Sequence, residues 1–176
     1  MHVASYSEVR ENFKTIIDKT IDDADVTLIH RRKGGNAVLM SEEHYNSMVE
    51  TLYLLSNPAN AKHLAQSIEQ HKAGKAQKRQ LINVDDEWIL MNIAFTPNGW
   101  ADYLYWQGQD KKTLKRINQL IQAISRTPFD GIGKPEPLKE NLTGYWSRRI
   151  DDSNRLVYAV EDMEIVIISC RYHYEA

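Results

Sequence analysis

The run Ile165–Cys170 limits more than any other stretch what this chain folds into. Ile165, Val166, Ile167, Ile168 and Cys170 form a short apolar segment rich in β-branched side chains, the pattern of a buried strand. Arg171, Tyr172, His173 and Tyr174 follow at once. A buried strand is a rigid mount, and a guanidinium, an imidazole and two phenols at its exit are placed to face a cleft. The same four residues also read as the polar, frayed end of a strand. The segments upstream separate these readings.

Upstream, Lys112–Ser125 carries Leu114, Ile117, Leu120, Ile121 and Ile124 at helical intervals. Trp100 to about Asp110 reads as a shorter aromatic helix, preceded by a turn at Pro97, Asn98 and Gly99 and by a strand over Asn92–Thr96. Thr127–Pro137 reads as loop. Tyr145–Ile150, Arg155–Val160 and Ile165–Cys170 read as three successive strands, with turns at Asp151–Asn154 and Glu161-Asp162. Two helices followed by an antiparallel meander predict an α+β domain.

The first half reads differently. A helix is expected from Tyr6 to about Thr20, then a hairpin of Val26–His30 and Ala37–Met40 about Gly34-Gly35. A second helix begins after Ser41, Asn57-Pro58 interrupts it, and residues 59–73 are helix-compatible. Residues 74–80 are polar and basic, and Leu81, Ile82 and Val84 form a small apolar patch. The character changes between 85 and 91, and Met91 reads as an old start codon inside a fused frame. The net charge of −2 falls in the first half while the second is balanced, and neither half is basic, so any nucleic-acid contact has to come from local patches. The single cysteine excludes a disulfide framework and reads as a buried structural thiol. There is no signal-peptide pattern at Met1, nor an apolar run near the roughly 20 residues of a membrane helix. The expected compartment is the reducing cytoplasm.

The second half holds a set of groups suited to RNA cleavage. Pro135 and Pro137 flank Glu136 and restrict its backbone. Arg148, Arg149 and Arg155 lie on the first two meander strands, and Arg171 and His173 end the third. A ribose 2′-OH attacks its own phosphate when a base takes its proton, an acid protonates the departing 5′-oxygen, and cations hold the charge on phosphorus oxygens. Glu136 fits the base, His173 the acid and Arg155 the clamp. Each has a plainer reading, as a solvated loop acid, a sheet-end cap or an exposed strand charge. The second half shows no metal-ligand spacing, and no metal or cofactor is expected.

Asp102–Gln107, Arg126–Phe129, Gly133–Lys139, Trp146–Ile150, Arg155–Val160 and Cys170–Tyr174 closely resemble YoeB toxins, of the RelE superfamily of ribosome-dependent mRNA interferases. The resemblance covers residues 91–176 and implies a small RelE-like domain that cleaves mRNA on the ribosome. It implies catalytic roles for Glu136, Arg155, His173 and Tyr174, and RNA-binding roles for Lys139 and Arg149. Glu175 and Ala176 extend past the point where the family commonly ends.

Ser5–Arg10, Ala37–Ser41, Glu43–Ser47 and Leu54–Ala61 resemble Phd/YefM antitoxins. This implies an operator-binding, dimerising domain over residues 1–57, so the chain is expected to form a homo-oligomer. It also implies an extended toxin-neutralising arm and join over 58–90. Arg10 and Arg31 match positions expected to touch DNA, and Arg32 and Lys33 thicken that patch. Leu64, Ile68, Leu81, Ile82 and Val84 would anchor the arm, and Asp85, Asp86 and Glu87 would shield the toxin's cationic cleft. The leading expectation is a toxin–antitoxin fusion whose partners are the ribosome, mRNA and operator DNA. The alternative is a DNA-binding autorepressor with an inactive second half.

Overall fold

A computed structural model describes residues 1–84 and 91–174. They divide into two compact units, Met1–Val49 and Glu50–Ala176. Asp85, Asp86 and Glu87, expected to shield the cationic cleft, and the extension Glu175-Ala176 lie outside the described residues.

In the first unit, β1 (His2–Ser5), α1 (Tyr6–Glu11), α2 (Phe13–Asp22), β2 (Thr27–His30) and β3 (Ala37–Leu39) precede the start of α3 (Glu42–Leu55). The sheet order is β1-β2-β3, with β1 parallel and β3 antiparallel to β2. The helix expected over 6–20 is broken at Asn12, whose φ of −124° and ψ of 32° leave the helical region. Ser5 starts α1 with a reciprocal cap: its hydroxyl accepts from the Glu8 amide at 3.2 Å, and the Glu8 carboxylate accepts from the Ser5 amide at 3.4 Å. Strand β1 had no counterpart in the sequence reading.

The second unit begins within α3. It continues through α4 (Pro58–Lys72), β4 (Gln77–Lys78), β5 (Asn92–Phe95), α5 (Pro97–Gln109) and α6 (Lys111–Arg126). It ends with β6 (Glu136–Pro137), β7 (Trp146–Arg149), β8 (Arg155–Glu161) and β9 (Glu164–Ser169). The strand order is β4-β5-β9-β8-β7-β6. The sheet is mixed rather than antiparallel, because β5 pairs with β9 in parallel, Ile93 opposite Ile165. The two helices after β5 supply the crossover that a parallel neighbour needs. Helix α5 starts earlier than expected: Thr96 caps it and Pro97 takes its first turn, where a missing amide costs nothing.

The sheet is covered on both sides. One face packs Ile93, Phe95, Leu156, Tyr158, Ile165 and Ile167 against Tyr103 of α5 and Leu114, Ile117, Leu120, Ile121 and Ile124 of α6. The other packs Ala94, Val157, Ala159, Val166 and Ile168 against Leu54 of α3 and Leu64 and Ile68 of α4. The expected extended arm is therefore helical over its first part and forms a core layer, with β4 adding a short edge strand beside β5. Cys170 is fully buried, and burial followed by the nearby Asp102 charge pushes its thiol well above the usual range. No helix of the described residues is long and apolar enough to cross a membrane.

Candidate functional site

Strand register assigns the charged residues to faces. Arg149 lies opposite Arg155, Ser147 opposite Val157, and Glu136 opposite Ser147. Alternation puts Glu136, Ser147, Arg149 and Arg155 on the face covered by α3 and α4, and Arg148 on the other. Arg148 is no exposed strand charge: it is 0 % exposed. Its Nε donates to the Tyr158 hydroxyl at 3.2 Å, and its Nη atoms donate to the carbonyls of Thr127, Asp130 and Ile132 at 2.6, 2.7 and 2.9 Å. It tethers the loop before β6.

Arg155 is 7 % exposed and held from two sides. Its Nη1 donates to the carbonyls of Asp151, Asp152 and Asn154 at 3.0–3.3 Å, so the β7–β8 turn fixes the guanidinium. Its Nε donates to Glu50 Oε1 at 2.7 Å, and the same oxygen accepts from Ser147 Oγ at 2.7 Å. The Tyr53 ring lies 4.6 Å from the guanidinium. A charged oxygen held by a guanidinium and a hydroxyl occupies the kind of position a phosphate oxygen takes. The two residues around it, Glu50 and Tyr53, come from α3. Lys139 is half-buried nearby, its amide donating to Thr51 Oγ1 at 2.9 Å, while Arg149 is exposed. Glu136 is half-buried on the edge strand, where its flanking prolines remove no interior ladder bond.

His173 leaves β9 where α4 and α5 meet. Its amide donates to Asn60 Oδ1 at 3.1 Å, and its Nε2 is 2.8 Å from Asp102 Oδ1. Its ring stacks on His63 of α4, centroids 3.7 Å apart, and His63 Nε2 is 3.1 Å from Asp102 Oδ2. Asp102, 2 % exposed, also accepts from Ser169 Oγ at 2.8 Å and from the Cys170 amide at 3.1 Å. Burial raises the Asp102 carboxyl, but the hydrogen bonds from His173 and then His63 outweigh it and leave the group below its ordinary value. Tyr174 is 62 % exposed, its ring 4.8 Å from that of Tyr172. Tyr172 in turn lies against Tyr53, ring centroids 5.1 Å apart. A run of contacts thus links Glu136 and Ser147 through Glu50, Arg155 and Tyr53 to Tyr172, the residue before His173.

Sequence reasoning missed Glu50, Tyr53, His63, Asp102 and Ser147. Asp102 and Ser147 lie in blocks that carry the family resemblance, but no role was assigned to either. His63, which lies outside the second half, joins Asp102 and His173 in a group whose donor atoms all lie within 4.8 Å of one another. In the first unit, Arg10 and Arg31 are both exposed. Arg31 arches over Gly34, where φ is +87° and a Cβ would lie 3.5 Å from the guanidinium.

Comparison with known proteins also divides the chain in two, at a different place from the compact units. The profile for the YoeB-like toxin of bacterial type II toxin-antitoxin systems matches residues 95–174, and that for the Phd/YefM antitoxin of type II systems matches 1–74. A YoeB toxin of Synechocystis sp. is 66% identical over 85 residues, which are 48% of this chain and 99% of that protein. A YefM antitoxin of Shigella flexneri is 43% identical over 91 residues, 52% of this chain and 97% of that protein. A heterotetrameric YoeB–YefM complex from Staphylococcus aureus has a chain 55% identical to this one, covering 48% of this chain and 98% of that one, with a TM-score of 0.46.

Proposed function

The chain belongs to the YoeB toxins through its second half and to the Phd/YefM antitoxins through its first, and from this we propose that it is a type II toxin–antitoxin pair in one polypeptide, an RNase held silent by its own repressor segment. In this reading residues 91–176 are a ribosome-dependent mRNA endonuclease, 58–90 the neutralising arm and join, and 1–57 the operator-binding, dimerising domain. Glu136 takes the proton of the 2′-OH. The 2′-oxygen bonds to phosphorus as the bond to the 5′-oxygen breaks, and His173 protonates that leaving oxygen. Arg155 holds the charge on the phosphorus oxygens. Tyr174, Lys139 and Arg149 position the RNA. DNA lacks the 2′-OH and is not cut.

The observation that carries this reading is the Glu50 oxygen shared by Arg155 and Ser147. In this reading a carboxylate of α3, in the antitoxin-like part of the chain just before the arm, sits where the scissile phosphate would bind, and α4 covers the same face. The test is toeprinting on translating ribosomes with the 91–176 fragment, which corresponds to a whole stand-alone relative. The fragment is expected to cleave mRNA, and its His173→Ala version and the intact chain are not. An inert fragment would refute the nuclease and leave the autorepressor.

For the first unit, the support is a set of exposed apolar side chains, Val3 and Val38 on the sheet and Tyr6 and Phe13 on α1 and α2, of the kind a second copy would cover. Arg10 and Arg31, repeated by two-fold symmetry, would meet a palindromic operator.

A further inference from the structure

We propose that His63, Asp102 and His173 form a binding site for a divalent transition-metal ion of the zinc class, which pins α4 to α5 and to the end of β9. Two imidazoles and one carboxylate are a donor set that suits zinc and disfavours magnesium or calcium, which prefer oxygen ligands. Three protein ligands leave one position for water.

The geometry lies near what an ion requires. Tetrahedral coordination with bonds of about 2.0–2.1 Å sets donors roughly 3.3–3.4 Å apart. His63 Nε2 and His173 Nε2 already lie 3.1 and 2.8 Å from the two Asp102 oxygens. Both rings approach that carboxylate from one side, stacked with an interplanar angle of 23°. The donor atoms of all three residues lie within 4.8 Å of one another. The carboxylate is held in place by the protein: Oδ2, which also meets His63 Nε2, accepts from Ser169 Oγ and from the Cys170 amide, while Oδ1 meets His173 Nε2. Such outer contacts fix metal-binding carboxylates generally.

The three ligands come from two parts of the chain. His63 lies on α4, in the antitoxin-like segment, whereas Asp102 and His173 lie in the toxin-like half. A bound ion joins the two and occupies the imidazole assigned above as the acid. This locking consequence rests on the proposed function, but metal binding does not.

Titration calorimetry of the intact chain with zinc chloride tests the site, with thermal midpoint as a second reading. Expected are one tight ion per chain, a raised midpoint, and an affinity lowered at least about 10-fold by His63→Gln, since even residues that only orient ligands contribute 10–100-fold. His2→Gln, beside the unrelated acids Asp23 and Asp25, should change nothing. Cobalt provides an independent signature, with strong visible bands of four-coordinate geometry in the parent and none in His63→Gln. The zinc-free melting curve of His63→Gln reports its folding, and His63→Ala repeats the test. Zinc binding that is absent, or equal in parent and His63 variants, overturns the site. Because no nuclease assay enters, an inactive second half would leave the result intact.

Discussion

Arg148 and Arg149 are sequence neighbours with opposite roles. Removing Arg148 strands the carbonyls of Thr127, Asp130 and Ile132, each at about 1–3 kcal/mol. Arg148→Ala is expected to lower unfolding free energy by about 3 kcal/mol or more in urea titrations. Exposed Arg149→Ala should stay within about 0.5 kcal/mol and instead weaken mRNA cleavage by the released second half. Glu50→Gln keeps an acceptor for Arg155 and Ser147 but removes the charge. Loss of a charge-assisted bond of about 1.5–3 kcal/mol should raise translation arrest by the intact chain roughly 10–100-fold, read in a cell-free lysate. Of this chemistry, Glu136, Arg155 and His173 stand out in the sequence as candidates, but local pattern leaves each its plainer reading, and the family resemblance is what favours them. Which of two adjacent arginines turns inward was not legible, because register decides it and residue type does not. Glu50 and His63 were hidden for another reason: their partners Arg155 and Asp102 are 105 and 39 positions away.

At the scale of elements, α5 meets β9 at Gly99. A Cβ there would collide with the Ile167 carbonyl oxygen and lie 3.1 Å from Thr96 Oγ1. Backbone cannot give way as a flexible side chain does, so Gly99→Ala should cost about 1–3 kcal/mol, measured by chemical denaturation. The β7–β8 turn predicts a pH effect. Burial raises the Asp151 carboxyl, but the Asn154 amide and side chain and the Ser153 amide outweigh it, leaving the group below its ordinary value. A carboxyl lowered by folding stabilises above its unfolded pKa, and that contribution is lost as pH falls through the folded value. The melting temperatures of the parent and Asp151→Asn should therefore differ near neutrality and converge in acid. Long amphipathic α6 was readable from periodicity, and the three meander strands from β-branched runs between turn residues. The break at Asn12, the two-residue strands β4 and β6 and the parallel β5–β9 pairing were not. Each depends on a partner distant in sequence or on one backbone conformation.

For the whole molecule, compact units and family likeness do not divide at the same place. The antitoxin profile extends to residue 74, yet the second compact unit begins at Glu50. The apolar residues of α4 were visible as anchors, but their full inclusion in a core layer was not, because α4 is mostly polar and its few apolar positions gain meaning only against the sheet. Leu64, 1 % exposed, joins that layer. Leu64→Ala should cost about 2–5 kcal/mol in calorimetric melting and, by loosening α4, raise translation arrest by the intact chain. The covering helix and the face it covers are translated together, one copy of each per polypeptide. Unequal decay of two separate proteins therefore cannot tip their ratio in this design. On the proposed function, only a backbone cut, or a physical opening of the helix from the sheet, would change how much of the toxin-like half is uncovered.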